Sequence, residues 1–146
     1  MRMGLSDLLK ERKITQVKPD REMAARLLAL AKDDLTAAEK NLLFKPRWAL
    51  AIAYNSMLQA GRALMAFMGY RAFSQEHHAT VVCFCASVLP RDSSVLVLYF
   101  DKLRGRRHDV VYGGELSVAE GEAERAIKKA RSFLHVIEQK IKSKSA

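Results

Sequence analysis

Apolar residues recur at helical intervals along most of the chain, and a few prolines and glycines divide it into long stretches. Pro19, Pro46, Gly69, Pro90 and the Gly113-Gly114 pair bound segments of good helix formers with no strand-like alternation. A short amphipathic helix is expected over 5–13, from Leu5 to Lys13. The first long helix is predicted to start at Asp20, an N-cap residue after Pro19, and to end near Phe44. Its dry side reads Met23, Leu27, Leu30, Leu35 and Leu42, against Lys32, Asp33, Asp34 and Glu39 on the wet side. The second runs from Pro46 to Gly69. There Trp48, Ile52, Leu58, Met65 and Phe67 nearly encircle the helix and only Arg47 and Arg62 are charged, which places it at the centre of a bundle or at a subunit interface. A loop over Tyr70 to Gln75 leads to a third helix, Glu76 to Leu89, and a fourth spans Asp92 to about Tyr112. The fifth is predicted from Ser117, which forms an S-x-x-E capping box with Glu120, to about Lys142. The expectation is one all-α domain over 1–146, an antiparallel up-and-down bundle of four to five helices with a frayed tail at 140–146.

Composition narrows the class. With 146 residues, 49% hydrophobic, 7 Gly and 3 Pro, the chain can bury a sizeable core, which excludes disorder and collagen-like repeats. No run of 18 apolar residues occurs, and Asp7, Lys10, Glu11 and Arg12 interrupt the amino end, so neither a membrane span nor a signal peptide is expected. Cys83 and Cys85, two apart, read as buried free thiols of a cytoplasmic protein. The net charge of +9 points to an anionic partner: RNA, a nucleotide or an acidic protein. Residues 1–21 carry 6 basic and 3 acidic side chains, 22–103 carry 9 and 7, and 104–146 carry 10 and 6, so the excess lies toward the two ends.

The densest chemistry lies in LRGRRHDVVYG, Leu103 to Gly113. On a helix Arg104, His108 and Tyr112 share a face, and Arg107 lies within about 60° of it. Arg106 completes three arginines in four residues. Guanidinium groups bind phosphate oxygens through paired donors, an imidazole carries a proton near neutrality, and a phenol donates or accepts a modifying group. The same arginines also fit a solvated helix end paired with Asp101 or Asp109. Arg62 and Asn55 share a stripe of a nearly apolar helix, so Arg62 is either tied to carboxylates or faces the Arg107 cleft. His77 and His78 stand together near Glu76 without a second pair of ligands, and no metal site is expected. His135 reads as a surface or packing residue. Tyr54, Phe67, Tyr70, Phe84 and Phe100 fit core positions. No glycine-rich phosphate loop, nucleophile triad or carboxylate cluster is present, which argues against a self-contained NTPase or metallonuclease, and no cofactor is implied.

The order LLKERKITQVKPDREMAARLLALAKDDLTAAEKNL, WALAIAYNSMLQAGRALMAFMGYRAFSQEHHATVV and LRGRRHDVVYGG, followed by a closing helix, resembles the HEPN superfamily over about residues 5–142. Its most specific parts are Tyr54 to Leu64 and the arginine-rich turn before Tyr112-Gly113. The resemblance is to the small stand-alone prokaryotic members. It implies a homodimeric bundle, and for many members metal-independent RNA cleavage through an R-x4-6-H motif in a cleft shared across the dimer. Many members pair with a minimal nucleotidyltransferase in a toxin-antitoxin arrangement, and a tyrosine beside the motif can then be nucleotidylated. Other members are thought to bind nucleotides or to be non-catalytic partners. Here Tyr112 stands where the motif counted from Arg107 expects His, and Arg104 to His108 is one residue short. The expectation is therefore an RNA- or nucleotide-binding protein. Arg104, Arg106, Arg107 and Arg62 hold phosphate, and Arg107, His108 and Tyr112 are the candidate catalytic set. The alternatives are an active endoribonuclease using His108 and a non-catalytic interaction module.

Overall fold

The computed structural model describes residues 4–73, 77–114 and 117–145. Six helices make the fold: α1 (Leu5–Lys10), α2 (Arg21–Asn41), α3 (Pro46–Met68), α4 (His78–Val88), α5 (Ser94–Tyr112) and α6 (Glu120–Ser145), with a single 3-10 turn, Arg91–Ser93, leading into α5. Two three-residue strands, β1 (Ile14–Gln16) and β2 (Tyr70–Ala72), pair antiparallel with Ile14 opposite Ala72. The architecture is an all-α bundle with this small two-stranded clasp.

Local chemistry accounts for the helix ends. The Asp20 carboxylate accepts the Met23 N–H at 2.9 Å, capping α2 where expected. Pro46 opens α3, and Gly69, at φ 86, closes it in the left-handed region. A Cβ at Gly69 would lie 2.7 Å from the Val17 carbonyl oxygen, so glycine also lets the β1 segment approach.

Several boundaries differ from expectation. The opening helix stops at Lys10, not Lys13, because Arg12 adopts φ 56 and turns the chain into β1. The loop expected over Tyr70 to Gln75 begins as β2, whose partner strand lies 54 residues earlier. The expected third-helix start at Glu76 lies outside the described residues. The Ser117 capping box is not the start of α6, which begins at Glu120; the Ser117 carbonyl instead accepts from Arg106. α6 continues into the expected tail as far as Ser145, carried by buried Ile137 and half-buried Ile141, with Ser143 and Ser145 hydroxyls donating back to the Lys140 and Ile141 carbonyls. On α2 the buried face is Ala24, Leu27, Ala31, Leu35 and Ala38, while Met23 and Leu30 face out.

α3 is the central element, packed against α2, α4, α5 and α6. Most of its apolar circumference is therefore covered within one chain, Trp48 remaining 44% exposed. α2 runs antiparallel to it: Ser56 Oγ donates to the Ala31 carbonyl and Asp20 N to the Ala66 carbonyl. α6 is also antiparallel to α2, with ion pairs Lys32 to Glu138 and Arg131 to Glu39. Alanine faces on α2, α3 and α6 let these axes approach closely. Aromatic contacts join the middle, with Tyr54 and Phe100 rings 5.7 Å apart and Phe100 and Phe133 5.1 Å apart.

Candidate functional site

Three elements meet around Tyr54. α3 supplies the phenol from its first half, and the ring is fully buried. α4 begins at His78 beside it, roughly 20 Å before the end of α3 at 1.5 Å per residue. α5 packs against both α3 and α4 and runs antiparallel to α3, with Arg47 of α3 donating to the Val110 carbonyl at 3.5 Å near its end. The arginine-rich turn of α5 is thus placed against a tyrosine and a histidine from two other helices.

The contacts define the geometry. Tyr54 Oη and His78 Nδ1 are 2.9 Å apart and the two rings stack at 5.7 Å. The Arg107 guanidinium carbon lies 5.8 Å from the Tyr54 ring centre and 5.8 Å from that of Tyr112, a cation held between two aromatic rings. Arg107 Nε is buried and has no hydrogen-bond partner. Among the described residues Arg107 forms no ion pair. Arg104, one turn earlier, donates twice to Asp101 Oδ1, at 3.0 and 3.1 Å.

Electrostatics follow from that crowding. Burial pushes the Tyr54 phenol up to about 12, partly offset by Arg104 and Arg107, so it is protonated at neutral pH. His78 is pushed below the usual imidazole range, first by burial and then by the charges of His77, Arg107, Arg104 and Arg62. A neutral imidazole therefore sits among cations. Burial likewise raises the Cys85 thiol to about 12, leaving it an inert core group; Cys83 and Cys85 are both free.

The other expected residues divide. Tyr112 is 68% exposed at the mouth, its ring 5.2 Å from that of exposed His108. Arg106 turns away from the cleft: its Nε and Nη2 donate to Glu122 at 2.7 and 3.1 Å, and Nη2 also reaches the Ser117 carbonyl. It fastens α5 to the start of α6. Arg62 donates to the Gln59 amide oxygen at 3.1 Å and acts electrostatically on His78, so it stands on the His78 side. From there a cleft of about 790 Å³ opens between the β clasp and the start of α4, with Lys18, Arg62, Arg71 and His77 among its lining and Met65 in its floor. Among the described residues no group of three His, Cys, Asp or Glu could hold a metal ion, and no helix is long and apolar enough to cross a membrane.

Tyr54 and His78 were the participants that sequence reading did not bring together. Their signals were present: a tyrosine in a nearly all-apolar helix needs a polar partner when buried, and the His77-His78 pair opens a helix of otherwise apolar character. Nothing in their spacing, 24 residues apart, joins them.

The fold defines a helical-bundle protein in which one arginine lies over two aromatic rings, the buried one bonded to a histidine. The comparison with known families agrees on the class: the HEPN domain family model matches residues 24–140, from α2 through most of α6. The chain belongs to the HEPN family. Comparisons with curated proteins and with solved structures each returned no match.

Proposed function

We propose that this HEPN protein binds RNA or a nucleotide through its phosphate at the Arg107 cleft. In this reading it acts in the cytoplasm as a homodimer and as one half of a toxin-antitoxin-like pair with a nucleotidyltransferase-type protein. The observation that carries the reading is Arg107 itself. It is a half-buried guanidinium with an orphaned Nε and no counter-ion among the described residues, and a protein seldom leaves such a charge unpaired unless a ligand completes it. Arg104 adds a second charge one turn away, and Tyr112 and His108 stand at the mouth to bond a sugar, a base or a modifying group.

The homodimer rests on different residues from those the sequence brought forward. α3 is mostly covered within its own chain, whereas Val95 and Leu98 on α5 are 63% and 69% exposed, Leu98 on the stripe that continues to Tyr112. Pairing through that face would cover these side chains.

Fluorescence anisotropy of a short labelled oligoribonucleotide across a salt series tests the binding reading. Two to three phosphate contacts predict a logarithmic salt slope of about −1.4 to −2 for a single strand. Arg107→Glu should weaken binding at least about tenfold, since it removes one charge-assisted contact and adds a repulsive one. Binding that ignores both salt and Arg107→Glu would leave the interaction-module reading in its place.

A further inference from the structure

From the packing of α3, α4 and α5 we infer that His78, seated on the Tyr54 hydroxyl, is the proton-carrying phosphate ligand of the Arg107 cleft. The inference deepens the proposed function and rests on it. It assigns a role to a histidine outside the arginine-rich turn, thirty residues before His108 in the chain.

The first ground is the placement of Tyr54. Its ring is fully buried beside Phe100, where a phenylalanine would pack equally well, and the hydroxyl is bonded to His78 Nδ1 at 2.9 Å. A buried hydroxyl is retained at a cost unless its bond is made, so the phenol is there to hold the imidazole. A phenol can do so in either protonation state. Toward the neutral ring it donates to Nδ1 and leaves the proton on Nε2; toward the imidazolium its oxygen accepts from Nδ1–H. Among the described residues Nε2 has no hydrogen-bond partner, which leaves that nitrogen for a ligand.

The second ground is what surrounds the ring. α3 presents Tyr54 and Arg62, the residue before α4 is His77, and α5 presents Arg104, Arg107 and, near Tyr54, Asp101. Burial first, and then the charges of His77, Arg107, Arg104 and Arg62, disfavour the charged imidazole while the cleft is free; Asp101, the carboxylate near Tyr54 among the described residues, is itself bonded to Arg104. A phosphate held by Arg107 reverses that balance. The ring then takes one proton from solvent at Nδ1, Nδ1–H donates to the Tyr54 oxygen, and Nε2–H donates to the phosphate. No covalent bond other than N–H forms or breaks. Binding and proton uptake are therefore one event, and affinity falls as pH rises.

The test is calorimetric titration with a uridylate oligomer, whose internal phosphodiesters do not titrate near neutrality, in two buffers of different ionisation enthalpy. Wild type should take up roughly half to one proton per site at pH 7, and its affinity should fall by up to about tenfold per pH unit between pH 6 and 8. His78→Gln should still bind at pH 8, without proton uptake and with a flat profile, and His108→Gln should keep the uptake. Tyr54→Phe, which preserves the packing, should lower the uptake. Wild-type binding without uptake, uptake that survives in His78→Gln, or uptake that vanishes in His108→Gln would overturn the assignment while leaving the RNA reading intact. If no oligomer binds, that reading falls, and the His78 ring is followed by NMR against inorganic sulfate. A titration midpoint raised by about half a unit or more supports the assignment, and an unmoved one overturns it.

Discussion

Arg106 and Arg107 are adjacent in sequence and about 100° apart around α5, and that rotation separates their roles. Arg107 faces Tyr54 and Tyr112 without a counter-ion among the described residues, whereas Arg106 makes a two-pronged bond to Glu122, sixteen residues away. Arg106→Ala should therefore cost about 1 kcal/mol of stability, the worth of a partly buried bidentate pair, and change RNA affinity less than about twofold. Urea denaturation and the anisotropy assay read the two effects separately. A large loss of affinity with unchanged stability would return Arg106 to the phosphate site. The run of basic residues was legible from the sequence. Which arginine would be spent on α6 was not, because the answer lies in a carboxylate that reaches it only through the fold.

At the scale of elements, the site depends on how closely α4 lies on α3. Gly61 marks the contact: a Cβ there would stand 2.6 Å from Val81 Cγ1 and 3.2 Å from Cys85 Sγ. Gly61→Ala should force the two helices apart at a cost of about 1–3 kcal/mol, set against the small helix-propensity gain of alanine. The displacement should also weaken the bond between Tyr54 and His78. Thermal melting measures the first effect, and the His78 ring signals in NMR report the second; an alanine variant as stable as wild type would show that α4 has room to yield. α2, α3 and the start of α5 were readable from capping and periodicity, since Asp20, Pro46, Gly69 and Pro90 act locally. The β clasp was not. Two three-residue segments show no usable alternation, and their pairing joins Ile14 to Ala72 across all of α2 and α3.

For the whole molecule, one cluster of buried residues runs from Leu8 to Ile137 and encloses α3. The apolar surface left outside includes Leu43 and Phe44 at the α2 to α3 corner, 75% and 84% exposed, besides Val95 and Leu98 on α5. Light scattering should give twice the chain mass at micromolar concentration, and Leu98→Lys should shift it to the monomer with little change in helical signal. A dimer unmoved by Leu98→Lys would assign the interface to another face, and a wild-type monomer would remove it.

What the sequence determined by itself was the helical class, the segments between its breakers, the family resemblance and the basic turn before Tyr112. Each of these depends on residues within a few turns of one another, where periodicity, capping and charge spacing act directly. Only the tertiary structure decided that Tyr54 would hold His78, that Arg107 rather than Arg106 would face them, and that most of α3 would be covered inside its own chain. Those outcomes depend on side chains 16 to 53 residues apart. Their meeting is set by how the helices pack, and that is a property of the assembled core and of no single stretch of the chain.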